Sequence, residues 1–367
     1  MLTLIVEPSP GGHRFQAVAG VAALASRTGD VALLTSVGAQ ERDEFRVHLS
    51  GLDVEVSEQF RDTIPEAAEM ASRIADFCRA RRVDTVVVMD GDIALKTWWW
   101  TAARQFRRLS PRPRIVYFLT RYPARLDWSD FGHWPMRIAK AVLVVLAHST
   151  RTIHRAVGFA SRDNMAVGWV VKRARDPALC SAHARDRDRL RAELELPPDR
   201  RLVGIFGAIN IRKNPKLVLE SVITSGLDAG LLIAGGVDAE TRQWLDNLAP
   251  DQRARVIVAD GFLPDEVLDR YIAAADVVVL VMNLEGPSGI QGKALAAGVP
   301  VVTGGSRTRE RELVATRSGV AVEVTVEGIA EGLRRVLVEG AGSKMAEIPL
   351  PTQETFAATI LGVPAPR

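Results

Sequence analysis

A chain of 367 residues with 47% hydrophobic and 25% charged content suffices for two globular domains, and excludes a disordered tail, a collagen-like fibre or a small disulfide scaffold. A formal net charge of +3 is too mild to argue for nucleic acid. The two cysteines, Cys78 and Cys180, lie far apart with no C-x-x-C spacing, which fits a reduced, cytoplasmic protein without structural zinc. The first residues lack a signal-peptide pattern, and the longest apolar runs, 141–147 and 277–282, are strand-length rather than bilayer-length.

Strand and helix periods alternate along the chain. Residues 2–7 read as a buried strand, followed by Pro8-Ser9-Pro10-Gly11-Gly12 and a helix over 14–27 that Gly29 stops; 31–35 is the next strand. A helix over 65–81, a strand over 84–89, a Trp-rich helix over 96–108 and a strand over 114–119 come next. The first half is completed by a helix over 129–140, a strand over 142–147 and a helix opened by His148-Ser149-Thr150. Residues 172–198 are dense in Arg, Asp and Pro, with no buried strand pattern. Beyond them strands at 202–206, 230–234, 255–258, 277–282 and 299–303 alternate with helices at 215–224, 239–248, 265–274 and 289–297. This order predicts an α/β protein of two doubly wound Rossmann-like domains facing an interdomain cleft. The expected division is 1–172, a linker at 173–200, 201–345, and a helix in 350–367 crossing back towards the first domain.

Ligands of such sheets bind beyond the carboxyl ends of the strands, and three loops there carry unusual chemistry. Gly11-Gly12-His13 follows the first strand and opens a helix, where paired glycines admit a close ligand and free amides favour an anion or a hydroxyl; a plain tight turn is the alternative. Gly207 to Pro215 places Asn210, Arg212 and Lys213 at a helix start, where cations oppose the helix dipole unless a polyanion lies between them. In Asn283 to Lys293 a Gly-rich loop enters a short helix of small residues, leaving the amides of Ser288, Gly289 and Ile290 for phosphate oxygens.

The third segment resembles the signature of retaining family-4-type glycosyltransferases with the GT-B fold, a likeness carried by Glu285-Gly286, Gly289-Ile290 and Ala294-x-Ala296-x-Gly298-x-Pro300-Val301-Val302. The second resembles that family's G-R-x-x-x-x-K-G stretch, with Lys213 in the place of its diphosphate-binding lysine. Leu232–Gly236, Gly261-Phe262-Leu263-Pro264 and the opening glycine loop fit the family's order. Three positions depart: Lys293 replaces the acid that binds ribose hydroxyls, Ala208 replaces an arginine, and Tyr117–Tyr122 lacks the usual histidine. A lysine cannot accept hydrogen bonds from a diol, so Lys293 is expected to pair with phosphate or with Glu285.

The resemblance implies transfer of a hexose-type sugar from a nucleoside-diphosphate sugar, with retention and without a metal or other cofactor. Arg212, Lys213 and the amides of 288–290 would hold the diphosphate, Glu285 would hold sugar hydroxyls or orient the cations, and Asn210, Phe262 and Leu263 would line the donor site. Asp90-Gly91-Asp92 reads as a loop acid pair. Trp98-Trp99-Trp100 and the Arg-rich stretch 101–125 keep a lipid or glycan acceptor, and peripheral contact with the inner membrane face, open beside a small-molecule acceptor. The alternatives are a catalytically silent homologue that acts as a binding partner, and a GT-B isomerase or hydrolase of nucleotide sugars.

Overall fold

Short runs of Val, Ile and Leu form strands, and the amphipathic segments between them form helices that cover both sheet faces. The computed structural model describes residues 1–11, 14–122, 132, 134–343 and 349–364. It divides into two units: Met1–Ala160 with Asn164–Arg175 and Thr352–Arg367, and Ser161–Asp163 with Asp176–Pro351.

Unit 1 begins with β1 (Leu2–Val6), α1 (Arg14–Ala25), β2 (Asp30–Ser36), α2 (Asp43–His48), β3 (Glu55–Phe60), α3 (Ala67–Ala80) and β4 (Thr85–Val88). It continues with α4 (Leu95–Phe106), β5 (Arg114–Leu119), α5 (Trp134–Ser149), β6 (Arg155–Ala160) and β7 (Lys172–Arg175). The seven strands are ordered β3-β2-β1-β4-β5-β6-β7, and all the pairs are parallel. Unit 2 holds α6 (Arg187–Glu193), β8 (Arg201–Phe206), α7 (Pro215–Thr224), β9 (Ala229–Gly235), α8 (Ala239–Asp246), α9 (Pro250–Arg253) and β10 (Val256–Asp260). Then come α10 (Asp265–Ala274), β11 (Val277–Val281), α11 (Gly289–Ala297), β12 (Val301–Gly304), α12 (Arg307–Thr316), β13 (Gly319–Ala321) and α13 (Val326–Leu337). Its six strands run β10-β9-β8-β11-β12-β13, again parallel. The strand order reverses between β1 and β4 in one sheet and between β8 and β11 in the other, the positions where doubly wound sheets open a crevice for ligands.

The last helix, α14 (Gln353–Leu361), belongs to unit 1. Its Phe356 meets Phe118 and Phe159 edge to face, at centroid distances of 5.5 and 6.2 Å. Gln353 donates to Gln16 O of α1 at 2.9 Å, over Gly20, where a β-carbon has no room. Arg114 and Arg155 bond Leu361 O and Thr359 O, setting two cations on the negative end of the helix dipole.

Several elements differ from the sequence expectation. The apolar run 142–147 is the second half of α5, not a strand, and His148-Ser149-Thr150 ends that helix rather than opening one. The strand of this repeat is β6, whose Arg155 and Gly158 weaken its pattern. Part of the expected helix at 129–140 lies outside the described residues. The region read as linker contains β7, a sheet-edge strand of sequence KRAR, and α6. The edge strands β3 and β13 have no apolar run long enough to announce them.

Candidate functional site

In unit 2 two loops meet at the carboxyl ends of β8 and β11. After β8 the chain turns through Gly207, whose φ of +86° is readily reached only by glycine. A β-carbon there would lie 3.3 Å from the Lys213 amine and 3.7 Å from the Ile290 side chain, so Gly207 marks where the basic turn and the start of α11 converge. Asn210 caps the 3-10 turn Ile211–Lys213 by accepting from Arg212 N at 3.2 Å. Asn214, in the left-handed region at φ +51°, donates to Val281 O at 2.7 Å and ties this turn to the end of β11. Lys213 donates to Phe206 O. Burial, reinforced by Arg212, pulls the Lys213 amine down to about 8. Arg212 itself is exposed.

Ser288 caps α11 by accepting from Gln291 N at 3.4 Å, and the first backbone bond, Gly292 N to Ser288 O, is 3.0 Å. The amides of Gly289 and Ile290 precede that bond and point from a helix N-terminus. Gly292 lets the buried Arg162 guanidinium lie against α11, where it pairs with Asp176 and, at 3.0 Å, with Glu312. The loop before α11 is held from outside the signature by a residue that the sequence reading missed. Buried Arg309 of α12 donates to Met282 O at 2.6 Å, Leu284 O at 2.7 Å, Gly304 O at 3.2 Å and Thr303 Oγ1 at 3.3 Å. Nothing in its Arg-rich surroundings distinguishes it in the sequence.

Glu285 faces the N-terminus of α12. Its carboxylate accepts from Thr308 N at 2.9 Å, from Arg307 N at 3.1 Å and from the Thr308 hydroxyl, so it caps a helix in addition to any contact with a sugar. Lys293 pairs neither with Glu285 nor, in this structure, with the loop. It is buried on α11 and bonds Asp269 of α10 at 2.7 Å, with Asp265 at 3.4 Å. Asp269 also accepts from Ser181 N at 2.7 Å and Ser181 Oγ at 3.1 Å. Lys293 thus joins two helices, α10 and α11. Phe262 is exposed after β10, two strands from β8, while Leu263 packs partly into the core.

In unit 1 the switch point carries a charged network. Glu7 at the end of β1 and Asp90 at the end of β4 share Arg14, at 3.2 and 2.6 Å. Burial pushes the Glu7 carboxyl up to about 7 against the pull of Arg14. Asp92 pairs with Lys140 at 2.5 Å, and Thr120 bridges Asp90 and Asp92 at 3.3 Å each. The pair Asp90 and Asp92 is thus neutralised by protein cations. Gly11 is exposed, and Gly12 and His13 lie outside the described residues.

The class that this architecture defines is the GT-B fold of glycosyltransferases. The chain superposes over 99% of its length, and 94% of the other's, on HepE of Anabaena solved with UDP, at TM-score 0.62 and 15% identity. A glycosyltransferase of Rickettsia africae gives TM-score 0.64 at 12% identity, covering 98% of this chain and 93% of that one. WaaG, a glycosyltransferase involved in lipopolysaccharide biosynthesis, gives 0.62 at 15% identity, covering 99% and 100%. Residues 186–348, within unit 2, match the family described as "Glycosyl transferases group 1". No curated protein matches the chain by sequence. Among the described residues no helix is long and apolar enough to cross a membrane.

Proposed function

We propose that the protein transfers a hexose-type sugar from a nucleoside-diphosphate sugar to an acceptor, with retention and with protein groups rather than a metal stabilising the leaving diphosphate. The observation that carries this reading is the convergence of the Lys213 amine, the Gly207 backbone and the first turn of α11 at one strand-order reversal. A diphosphate leaving group develops negative charge in the transition state, and a fixed cation beside free helix amides stabilises charge where it forms. Lys213 and the amides of Ser288, Gly289 and Ile290 supply those groups, with exposed Arg212 at the rim. Glu285 contacts sugar hydroxyls from the same loop, in competition with its cap on α12. Asn210, Phe262 and Leu263 contribute to the surrounding donor site. Lys293 acts through α10 rather than on phosphate. The UDP and UDP-glucose complexes of HepE accord with a nucleotide-sugar donor, whose sugar passes to a small-molecule, lipid or glycan acceptor.

The test is calorimetry with UDP, GDP and their nucleosides on wild type and Lys213→Met, followed by donor hydrolysis. Loss of one charge-assisted contact, worth about 1.5–3 kcal/mol, lowers diphosphate affinity about ten- to hundredfold and leaves nucleoside affinity unchanged. Equal diphosphate affinity in the two proteins refutes the assignment. Diphosphate-sugar binding without hydrolysis or transfer to any acceptor favours the silent homologue, for which the engagement of Glu285 by α12 is the supporting contact.

A further inference from the structure

We infer that α5 is a docking helix for an anionic bilayer surface, an activity independent of the nucleotide site. Of its 16 residues, Val144 and Ala147 face the core and Leu143 packs against it. The opposite side exposes Ile138, Val142, Val145 and Leu146, spaced i, i+4, i+7 and i+8, so they form one stripe. Ile138 is 57% and Val142 52% exposed. The remaining exposed positions around this stripe are Pro135, Met136, Ala139 and Ser149, none of them charged. The cations of the helix, Arg137 and Lys140, are half-buried at its flank, and Lys140 turns back to Asp92 and Arg121 O. A helix apolar on both sides is ordinarily buried on both sides. This one is covered on one side among the described residues.

Charge selects the occupant. Residues 93–155 hold twelve Lys and Arg against Asp127 and Asp130; Arg114 and Arg155 bind α14 and Lys140 binds Asp92, which leaves the cations on and just after α4 as the exposed charge beside α5. The adjoining helix α4 exposes Lys96, Trp100 and Arg104, with Arg107 and Arg108 just beyond it, and the Arg104 guanidinium stacks 5.1 Å from the Trp100 ring. A second copy meeting this face through α5 would bring like charges together. A bilayer rich in anionic lipid satisfies both features: the stripe enters the acyl boundary while the arginines meet headgroups, and Trp100 sits at the depth where indoles concentrate. At 1.5 Å per residue α5 is about 24 Å long and lies along such a surface rather than across it.

The test is sedimentation of the full chain with vesicles of phosphatidylglycerol and phosphatidylcholine, or of phosphatidylcholine alone, from low to high salt, with light scattering for oligomeric state. Binding is expected to the anionic vesicles, about tenfold or more tighter than to the neutral ones, and to weaken as salt screens the arginines. Val142→Glu/Val145→Glu should lose about tenfold or more while keeping wild-type circular dichroism and UDP affinity; Val142→Ser/Val145→Ser repeats the test without added charge. Arg107→Gln/Arg108→Gln should reduce both the affinity and its salt dependence. No binding to anionic vesicles at low salt, equal binding to neutral ones, undiminished binding by both stripe variants, or a dimer that those variants dissociate overturns the proposal. UDP affinity, read separately, keeps a failure of the sugar-transfer reading distinct from a failure of this one.

Discussion

Replacing Lys293 by Met keeps most of the apolar stem and removes the ammonium. The Lys293 amine is buried on Asp269, itself 4% exposed, so the variant strands a carboxylate inside unit 2. Removing one partner of a buried pair typically costs 3–5 kcal/mol. Ser181 N and Oγ still donate to Asp269, and Asp265 is partly exposed, so the low end applies: about 3 kcal/mol. For a unit of this size the melting temperature then falls by about 6–12 °C. Calorimetry reads that shift, and hydrogen exchange should localise the lost protection to α10 and α11. Adding Asp269→Asn, which removes the stranded charge but still accepts from Ser181, should recover most of the loss. UDP affinity of the folded single variant should stay within about twofold of wild type. A single variant as stable as wild type, or a double variant no better than the single, refutes the structural role. A large loss of UDP affinity would instead return Lys293 to the phosphate.

Three further outcomes follow from the same geometry. The Lys213 amine ionises near 8 because it is buried, so UDP affinity should decline as pH rises through about 8, and Lys213→Met should abolish that decline in titrations from pH 7 to 10. Glu7 is raised from 4.5 to about 7 by burial, so the folded state holds its proton longer than the unfolded one. Its contribution is therefore fully present below 4.5 and is lost as pH rises through 7; relative to Glu7→Gln, wild-type stability in urea should fall by about 3 kcal/mol across that window. Phe356→Ala should cost unit 1 about 3–5 kcal/mol through the cavity left against Phe118 and Phe159, with exchange protection in unit 2 unchanged.

Most of the fold was legible because parallel strands buried on both faces read as continuous apolar runs, as β1, β8 and β11 do. The same rule misled at 142–147, where an all-apolar stretch of helix imitates a buried strand, and periodicity alone cannot separate them. Edge strands failed for the opposite reason: KRAR in β7 is charged, as an unpaired edge often is, and carries no apolar signal. At the candidate site the sequence showed the helix start that carries Asn210, Arg212 and Lys213 and the Gly-rich loop entering a short helix, while the Asn210 and Ser288 caps came from the structure. The partners of Lys293, Glu285 and Arg309 were not legible. Each binds an element reached only through tertiary packing, and nothing in the local pattern of charges says which carboxylate or carbonyl will be opposite.

The position of α14 sets a timetable for synthesis. The sheet of unit 1 is complete once Arg175 has emerged, yet the helix that seals one of its faces follows only after Asp176–Pro351. At about 5–20 residues per second those residues take roughly 10–35 s to translate. Throughout that interval Phe118, Phe159 and the side of α1 around Gly20 lack the cover that Phe356, Ile360 and Gln353 bring. Unit 2, encoded almost without interruption, has all its strands by residue 321 and can close its core first. The nascent chain therefore carries its first-made unit as an open sticky sheet beside a finished neighbour, and a chaperone that shields apolar sheet faces would act on the half of the protein that was translated earliest.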